Sequence, residues 1–451
     1  MARLEGSTLQ RFSFALLIGF LFMIFSRIFD VQLYWLHLPG ISYRLMAVFL
    51  FMSGTFLVAL RDSIGKCVVG FTACFLAATA FSVWRMGSLQ TLTEQWLVGC
   101  VAFMATAALI ADFRQYVRTV KTVALAVLVL TFICITLGTM QDGRLFLERG
   151  RFSNPNEMAQ ALLLGMPFWW AILGNSRSLF FKLCGVGSIA AMMYVVAKTG
   201  SRGALISILV VLLFMFLRAS VVGKMQLLFG AGMLLLIAVL LLPGGLRARY
   251  RTFFTTDAME RSENPDADAE MLDRAINSSS NRMELLIRSL VLTAKHPLLG
   301  VGPGMFPVAE NDLARSEGKK GAWLGTHNSF TEVSSECGIP AFLLYCAILV
   351  LSFRKSYALY RRTKSNPDWK EISTHALALN YSLIAFFVTG LFVHAAYTSL
   401  LPVLSGLTVS LMRTAEPLLA VGPAAGKEQP ALSKTPAYRG PLPRFSPARS
   451  L

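Results

Sequence analysis

Residues 325–340 read GTHNSFTEVSSECGIP, and residues 341–353 continue as AFLLYCAILVLSF. With Gly338 as its start, the second stretch reads as a membrane span. The first places His327, Glu332 and Glu336 at the door of that span. Ionisable groups near hydrocarbon are costly, so they occur where they have partners or a task. Whether this span is one of many decides the fold class.

The 451-residue chain is 55% hydrophobic and only 15% charged, against roughly 25% charged in soluble domains. Its charges are clustered, and long apolar runs separate them. That pattern implies an all-α polytopic membrane protein; barrel-like alternation is not visible. The net charge of +17 lies in short loops between apolar runs. Such a distribution suits lipid headgroups and lipid-linked phosphates, and argues against nucleic acid as a partner. The seven cysteines have no C-x-x-C spacing and read as small core residues. The first apolar run lacks a small-residue cleavage site and reads as a span.

A requirement of roughly 17–25 apolar residues per crossing gives about twelve spans. They fall near 12–29, 43–60, 67–84, 95–111, 121–138, 157–173, 179–197, 203–217, 225–243, 338–353, 376–393 and 395–412. The last two are separated only by a tight hairpin near His394. Lys and Arg concentrate in one set of short loops, among them 61–66, 114–121, 177–182, 218–224 and 354–370. That set is expected on the cytoplasmic side, with both termini. Spans six, eight and ten then begin at the outer face.

The organisation expected is an N-terminal bundle over 1–243, a large periplasmic loop over 244–326, C-terminal spans over 327–412 and a disordered basic tail over 413–451. Within the loop, NRMELLIRSLVLTAKHPLLG predicts an amphipathic helix, started by Asn281 and stopped by Pro297. Its apolar stripe is predicted as Met283, Leu286, Leu290 and Ala294, lying on the membrane or on the bundle.

Four segments carry chemistry, all on the expected outer side: RGRFSNPNEMAQ (149–160), KTGSRGAL (198–205), HPLLGVGPGMF (296–306) and the opening stretch. Asn154-Pro155 and Ser201 are helix-start signals. Three helix N-termini thus meet at one face, each with free N–H groups and a partial positive charge. Arg149, Arg151 and Arg202 add guanidinium forks suited to phosphate oxygens. Two readings stand: a diphosphate site, or arginines on lipid headgroups with Asn154 and Asn156 only capping helices. His327 is either the general base or a histidine satisfied at a helix start, with Glu332 and Glu336 placed to orient it or to balance the arginines. No dense ligand cluster points to a metal. The GVGPG run follows a helix and a proline, so a nucleotide-loop reading fails, and it reads as a turn that docks the long loop.

Taken in order, RFSNPNEMA, TGSRGAL, HPLLGVGPGMF and HNSFTEVSSECG resemble the O-antigen ligase and polymerase superfamily, bacterial membrane glycosyltransferases of the GT-C type. The resemblance spans roughly residues 140–355. It implies an undecaprenyl-diphosphate-linked glycan as donor, lipid A-core or another glycan as acceptor, inversion at the anomeric carbon, and no cofactor or metal. It further implies the bacterial inner membrane as location. Carried over by position, Arg151 and Arg202, with Arg149, hold the diphosphate, and His327 is the base, with Glu336 beside it. Arg288 matches a basic residue of the loop helix, and Asn154, Asn156, Ser201 and Asn328 support the site. Ligases often show His, Asn, nine residues, Gly, two residues and Gly; here His327, Asn328 and Gly338 fit, but Ala341 takes the last place. That leaves ligase, polymerase and protein O-glycosyltransferase open. A transporter would show repeat halves and broken mid-membrane helices, neither of which the sequence displays. A non-catalytic envelope scaffold is the third class.

Overall fold

Asp62, Asp112, Asn154, Ser201 and Asn328 each stand just before a long apolar run. In the computed structural model each caps the helix that follows. Asp62 Oδ1 accepts from Ile64 N–H at 2.8 Å, Asp112 Oδ1 from Gln115 N–H at 2.8 Å and Asn154 Oδ1 from Asn156 N–H at 3.0 Å. Ser201 Oγ accepts from Ala204 N–H at 3.4 Å, and Asn328 Oδ1 from Phe330 and Thr331 N–H at 2.9 and 3.1 Å. Each bond satisfies one of the donors that a helix start leaves orphaned. The structure describes residues 8–31, 33–141, 143–148, 154–241 and 281–421.

The long helices are α1 (Thr8–Ser26), α2 (Leu38–Ser53), α3 (Ser63–Ala80), α4 (Leu97–Leu109), α5 (Phe113–Leu137), α6 (Pro155–Asn175), α7 (Leu179–Lys198), α8 (Arg202–Arg218) and α9 (Val221–Leu241). After them come a loop helix α10 over 281–295, then α11 (Phe306–Ser316), α12 (Ser329–Thr363), α13 (Lys370–Gly390) and α14 (Leu400–Val421). Among the described residues, eight segments are long and apolar enough to cross a membrane. The predicted spans 157–173, 203–217, 225–243 and 395–412 coincide with α6, α8, α9 and α14, which lie outside those eight. The molecule is an all-α polytopic membrane protein.

The only sheet among the described residues is a hairpin, β1 (Thr139–Gln141) with β2 (Arg144–Phe146), paired Thr139 to Phe146 and Gln141 to Arg144. The sequence reading did not foresee it. Its signal is the Asp142-Gly143 pair, since two-residue hairpin turns need a positive φ, and Gly143 has φ 67°.

At the centre stands α13, with 89% of its apolar stretch buried against 28% for α7. It packs on α6, α8 and α12, while α14 packs on α4 and α12 on α3. Phe71, Phe75, Trp96, Tyr345 and Tyr397 form a buried aromatic cluster, with Phe71 and Trp96 centroids 4.5 Å apart. Outward-facing residues such as Phe180, Leu183, Leu209, Leu213 and Leu343 are exposed, an apolar belt that only lipid can cover.

Helix α12 breaks at Gly338 (φ 83°, ψ 174°), where the predicted span begins. Its first piece, 329–337, is the docking post for loop 297–306. Ile339 N–H donates to Pro297 O at 2.7 Å, Val301 N–H to Ser335 O at 3.0 Å and Gly302 N–H to Glu336 O at 2.9 Å. Glu336 is buried, and its two carboxylate oxygens accept from Gly304 N–H at 2.6 Å and Phe306 N–H at 3.0 Å. A carboxylate at the start of α11 meets the positive end of that helix. On the far side Val83 N–H donates to Val301 O at 3.1 Å, and Ser88 Oγ–H to Pro303 O at 2.9 Å.

Of the predicted stripe of α10, Met283, Leu290 and Ala294 are exposed and Leu286 is half-buried, while the helix turns Leu285, Arg288, Ser289 and Leu292 inward. Leu285 and Leu292 pack with Met305, Phe306 and Ala309, and the carboxylates around Arg288 remove the charge penalty that a sequence stripe assigns to it. The C-terminal helix also runs past the expected boundary at 412, to Val421. Arg413 Nη2 donates to Ala108 O at 3.0 Å, and Arg362 pairs with Glu416 at 2.6 Å. The 244–280 part of the expected loop and the 422–451 part of the expected tail lie outside the described residues.

Candidate functional site

Between α5 and α6 the β-hairpin folds over the start of α6. Its second strand opens with Arg144, whose Nε donates to Thr199 O at 2.8 Å and whose Nη2 donates to Asn156 Oδ1 at 2.9 Å. Thr199 lies in the turn that leads into the Ser201 cap of α8. One guanidinium therefore ties together the hairpin and the starts of α6 and α8. The plane of the fork is fixed, as charge-assisted bonds to two acceptors require.

A cavity of about 510 Å³ opens beside it, with Gln141, Arg144, Asn154, Asn156, Arg282 and His327 in its wall. Two cations, two amides next to a helix start, an imidazole and one carboxylate, Glu148, share one hollow. Helix starts and guanidinium groups both attract anions, so the chemistry of the wall fits a phosphate-bearing ligand.

His327 enters from the segment before α12. Its backbone is left-handed (φ 51°) and turns back to an extended φ of −149° at Asn328. A left-handed non-glycine residue is uncommon, and such strain gathers at functional sites. Thr326 Oγ–H donates to Asn328 O at 2.9 Å and supports the turn. Burial, then the neighbouring His394 and Arg282, push the His327 pKa down to about 3. The imidazole is thus neutral around pH 7, with a nitrogen lone pair available.

His394 belongs to the turn between α13 and α14. Its ring stands 5.0 Å from the His327 ring, nearly perpendicular at 79°. Its Nε2 lies 3.9 Å from Glu157 Oε1, on the first turn of α6. Burial and Arg282 lower its pKa as well. Neither histidine Nδ1 has a hydrogen-bond partner among the described residues.

The residues singled out in the sequence separate into groups. His327, Asn154 and Asn156 are brought to the cavity wall. Asn328 and Ser201 cap α12 and α8, and Arg202 opens α8 beside the Thr199 turn. Glu336 holds loop 297–306, and Glu332 Oε2 accepts from Ala396 N–H at 3.1 Å. Arg288 is buried beside Glu284 at 2.8 Å, Glu310 at 3.1 Å and Glu317 at 3.8 Å, and does not line the cavity. Arg149 and Arg151 lie outside the described residues. The sequence reading had not assigned Arg144, Arg282, His394 or Glu157 to the site. Only the Asp142-Gly143 turn signal, which projects Arg144 from a hairpin, was available to find one of them.

A family model described as O-antigen ligase matches residues 187–346, a stretch that includes α8, α10, α11 and the His327 segment. No curated protein matches the chain.

Proposed function

We propose that this chain, whose residues 187–346 match the O-antigen ligase family model, a family of enzymes that act on lipid-linked glycans, transfers a glycan from an undecaprenyl-diphosphate carrier to lipid A-core. The reaction runs at the outer face of the bacterial inner membrane. The observation that carries the reading is the cavity wall, where Arg144, Arg282 and His327 meet at the start of α6. The donor diphosphate occupies the cationic side, next to Arg144 and the α6 N-terminus. Arg202, at the start of α8 beside the Thr199 turn held by Arg144, is read as a further diphosphate contact, as are Arg149 and Arg151 from their place in the sequence.

In the proposed step the acceptor hydroxyl oxygen attacks the anomeric carbon from the face opposite the diphosphate. The new C–O bond forms as the bond to the diphosphate oxygen breaks, and its electron pair leaves with the carrier. The hydroxyl proton passes to His327, and the anomeric centre inverts. His327 is kept unprotonated by burial and by its neighbours His394 and Arg282. A bound diphosphate offsets the Arg282 charge, which strengthens the base while the substrate is present. The step uses no metal, so chelator leaves the rate unchanged.

Lipid A-core carries several phosphates, and the exposed Lys319 and Lys320 beyond α11 offer it a basic approach. The orientation rests on the Lys/Arg asymmetry. In a cysteine-free background, Ser316→Cys is labelled by an impermeant reagent in intact spheroplasts and Ser365→Cys is not. The deciding experiment is gel analysis of surface polysaccharide from a deletion strain. Bare lipid A-core with polymer retained on the carrier supports the ligase. Core bearing single repeats would identify a polymerase instead.

A further inference from the structure

The turn that carries His394 is fastened on both sides of that residue to the first turn of α12. Ser329 Oγ–H donates to Val393 O at 2.6 Å and Ser329 Oγ accepts from Ala395 N–H at 3.1 Å. Glu332 Oε2 accepts from Ala396 N–H at 3.1 Å. Ser329 and Glu332 follow His327 in the chain by two and five residues. The element that presents His327 therefore also grips His394. Gly325, two residues before His327, completes the fit: a Cβ there would meet the His394 ring at 2.8 Å. The chain leaves out a side chain where the second imidazole needs room.

The His394 ring is pressed edge-to-face on His327, and its Nε2 faces Glu157 at 3.9 Å. We propose that His394 is a positioning residue for His327: wedged between His327 and Glu157, it holds the His327 ring at the cavity wall and sets how readily that ring takes a proton. Its role rests on the reading of His327 as the base. The charged groups that bear on His394 are His327 before α12, Glu157 on α6, Arg282 on α10 and, through Ala396, Glu332 on α12. A positive charge on His394 opposes a proton on His327. A negative charge in its place favours one by about 1–3 pH units at this range.

The test compares His394→Gln with His394→Glu, side chains of nearly equal shape that differ in charge. Diethyl pyrocarbonate acylates neutral imidazole, so modification of His327, read by peptide mass spectrometry, reports its neutral fraction. In the wild-type protein in detergent, modification of His327 stays level from about pH 8 to about pH 5. In His394→Glu it falls toward the acid end, to about half or less of the His394→Gln value near pH 5. If His394→Glu does not reach the membrane, His394→Asp carries the same comparison. Equal profiles for the neutral and anionic variants would overturn the proposal, because a purely structural role follows shape and not charge. The assay needs no transfer activity. A charge-dependent His327 together with full transfer in His327→Ala would therefore keep the coupling and sink the base reading. Loss of both would separate the two failures in the opposite sense.

Discussion

Arg288 and Arg144 serve the same end of the molecule in opposite ways. Arg288 is buried under α10 and faces Glu284, Glu310 and Glu317, so its charge is cancelled where it stands. Arg144 gives Nε and Nη2 to a carbonyl and an amide oxygen, bonds that fix its plane, and it lines the cavity. The same contrast separates Glu336 from His327, nine residues apart on one segment. Glu336 has both oxygens taken by the docking loop, whereas His327 has an unpartnered Nδ1 and faces open space. A buried polar group whose bonds are all met holds the fold; one held in place beside a cavity is available for chemistry.

The largest effect expected from this contrast is at His327. His327→Ala lowers transfer by ~10²–10⁴-fold, the contribution of a general base, while the amount inserted in the membrane is unchanged. Transfer rates in proteoliposomes against protein level check it, and near-wild-type transfer would end the distinction between the two groups.

Arg144→Ala comes next. Removing charged bonds worth about 1.5–3 kcal/mol lowers transfer roughly tenfold to a hundredfold, and Arg144→Lys recovers only part, because lysine lacks the fork. Arg288→Ala should instead lower thermal stability, by about 3–5 kcal/mol for a broken buried pair, with the activity of the surviving folded protein retained. A kinetic defect in Arg288→Ala without loss of stability would put both arginines in the same class.

Glu336→Ala leaves the N–H groups of Gly304 and Phe306 without their acceptor, at a cost of roughly 1–3 kcal/mol. The expected sign is a lower melting temperature and faster proteolysis near residues 297–306, with the pH dependence of transfer unchanged. An altered pH profile would move Glu336 from clamp to chemistry.

The smallest expected effect is one of pH. A histidine lowered to about 3 is already neutral above pH 5, so His327 adds no acid limb to the rate of the free enzyme between about pH 5 and about pH 8. For stability the sign is the reverse of a salt-bridged histidine. The unfolded state takes the proton first, so stability falls as pH drops below the ordinary value of about 6.5, and the loss levels off once the folded form also protonates. Thermal melts of wild type and His327→Asn across that window check it; identical slopes would mean that burial does not depress His327.

Much of this was legible along the chain. Apolar run length placed the helices, because a helix in lipid must bury its own backbone groups and needs nothing from distant residues to do so. Asn154-Pro155 and Ser201 announced helix starts for the same local reason. The doorway position of His327 was legible too, since an ionisable group beside an apolar run is conspicuous. Three-dimensional packing alone decided the rest. The inward turn of Arg288 was hidden because its partners Glu310 and Glu317 sit on another helix and its end, and helical periodicity counts an arginine as exposed. The join of Arg144 to Asn156 and Thr199, and of His394 to His327 and Glu157, links segments up to 237 residues apart between Glu157 and His394. Such contacts depend on which helix ends the bundle brings to one face. The sequence by itself determined a helical membrane protein with an ionisable residue at the doorway of a span; the tertiary structure chose which of its polar side chains are consumed by the fold and which are left facing the cavity, because hydrogen-bond partners are assigned in space and not along the chain.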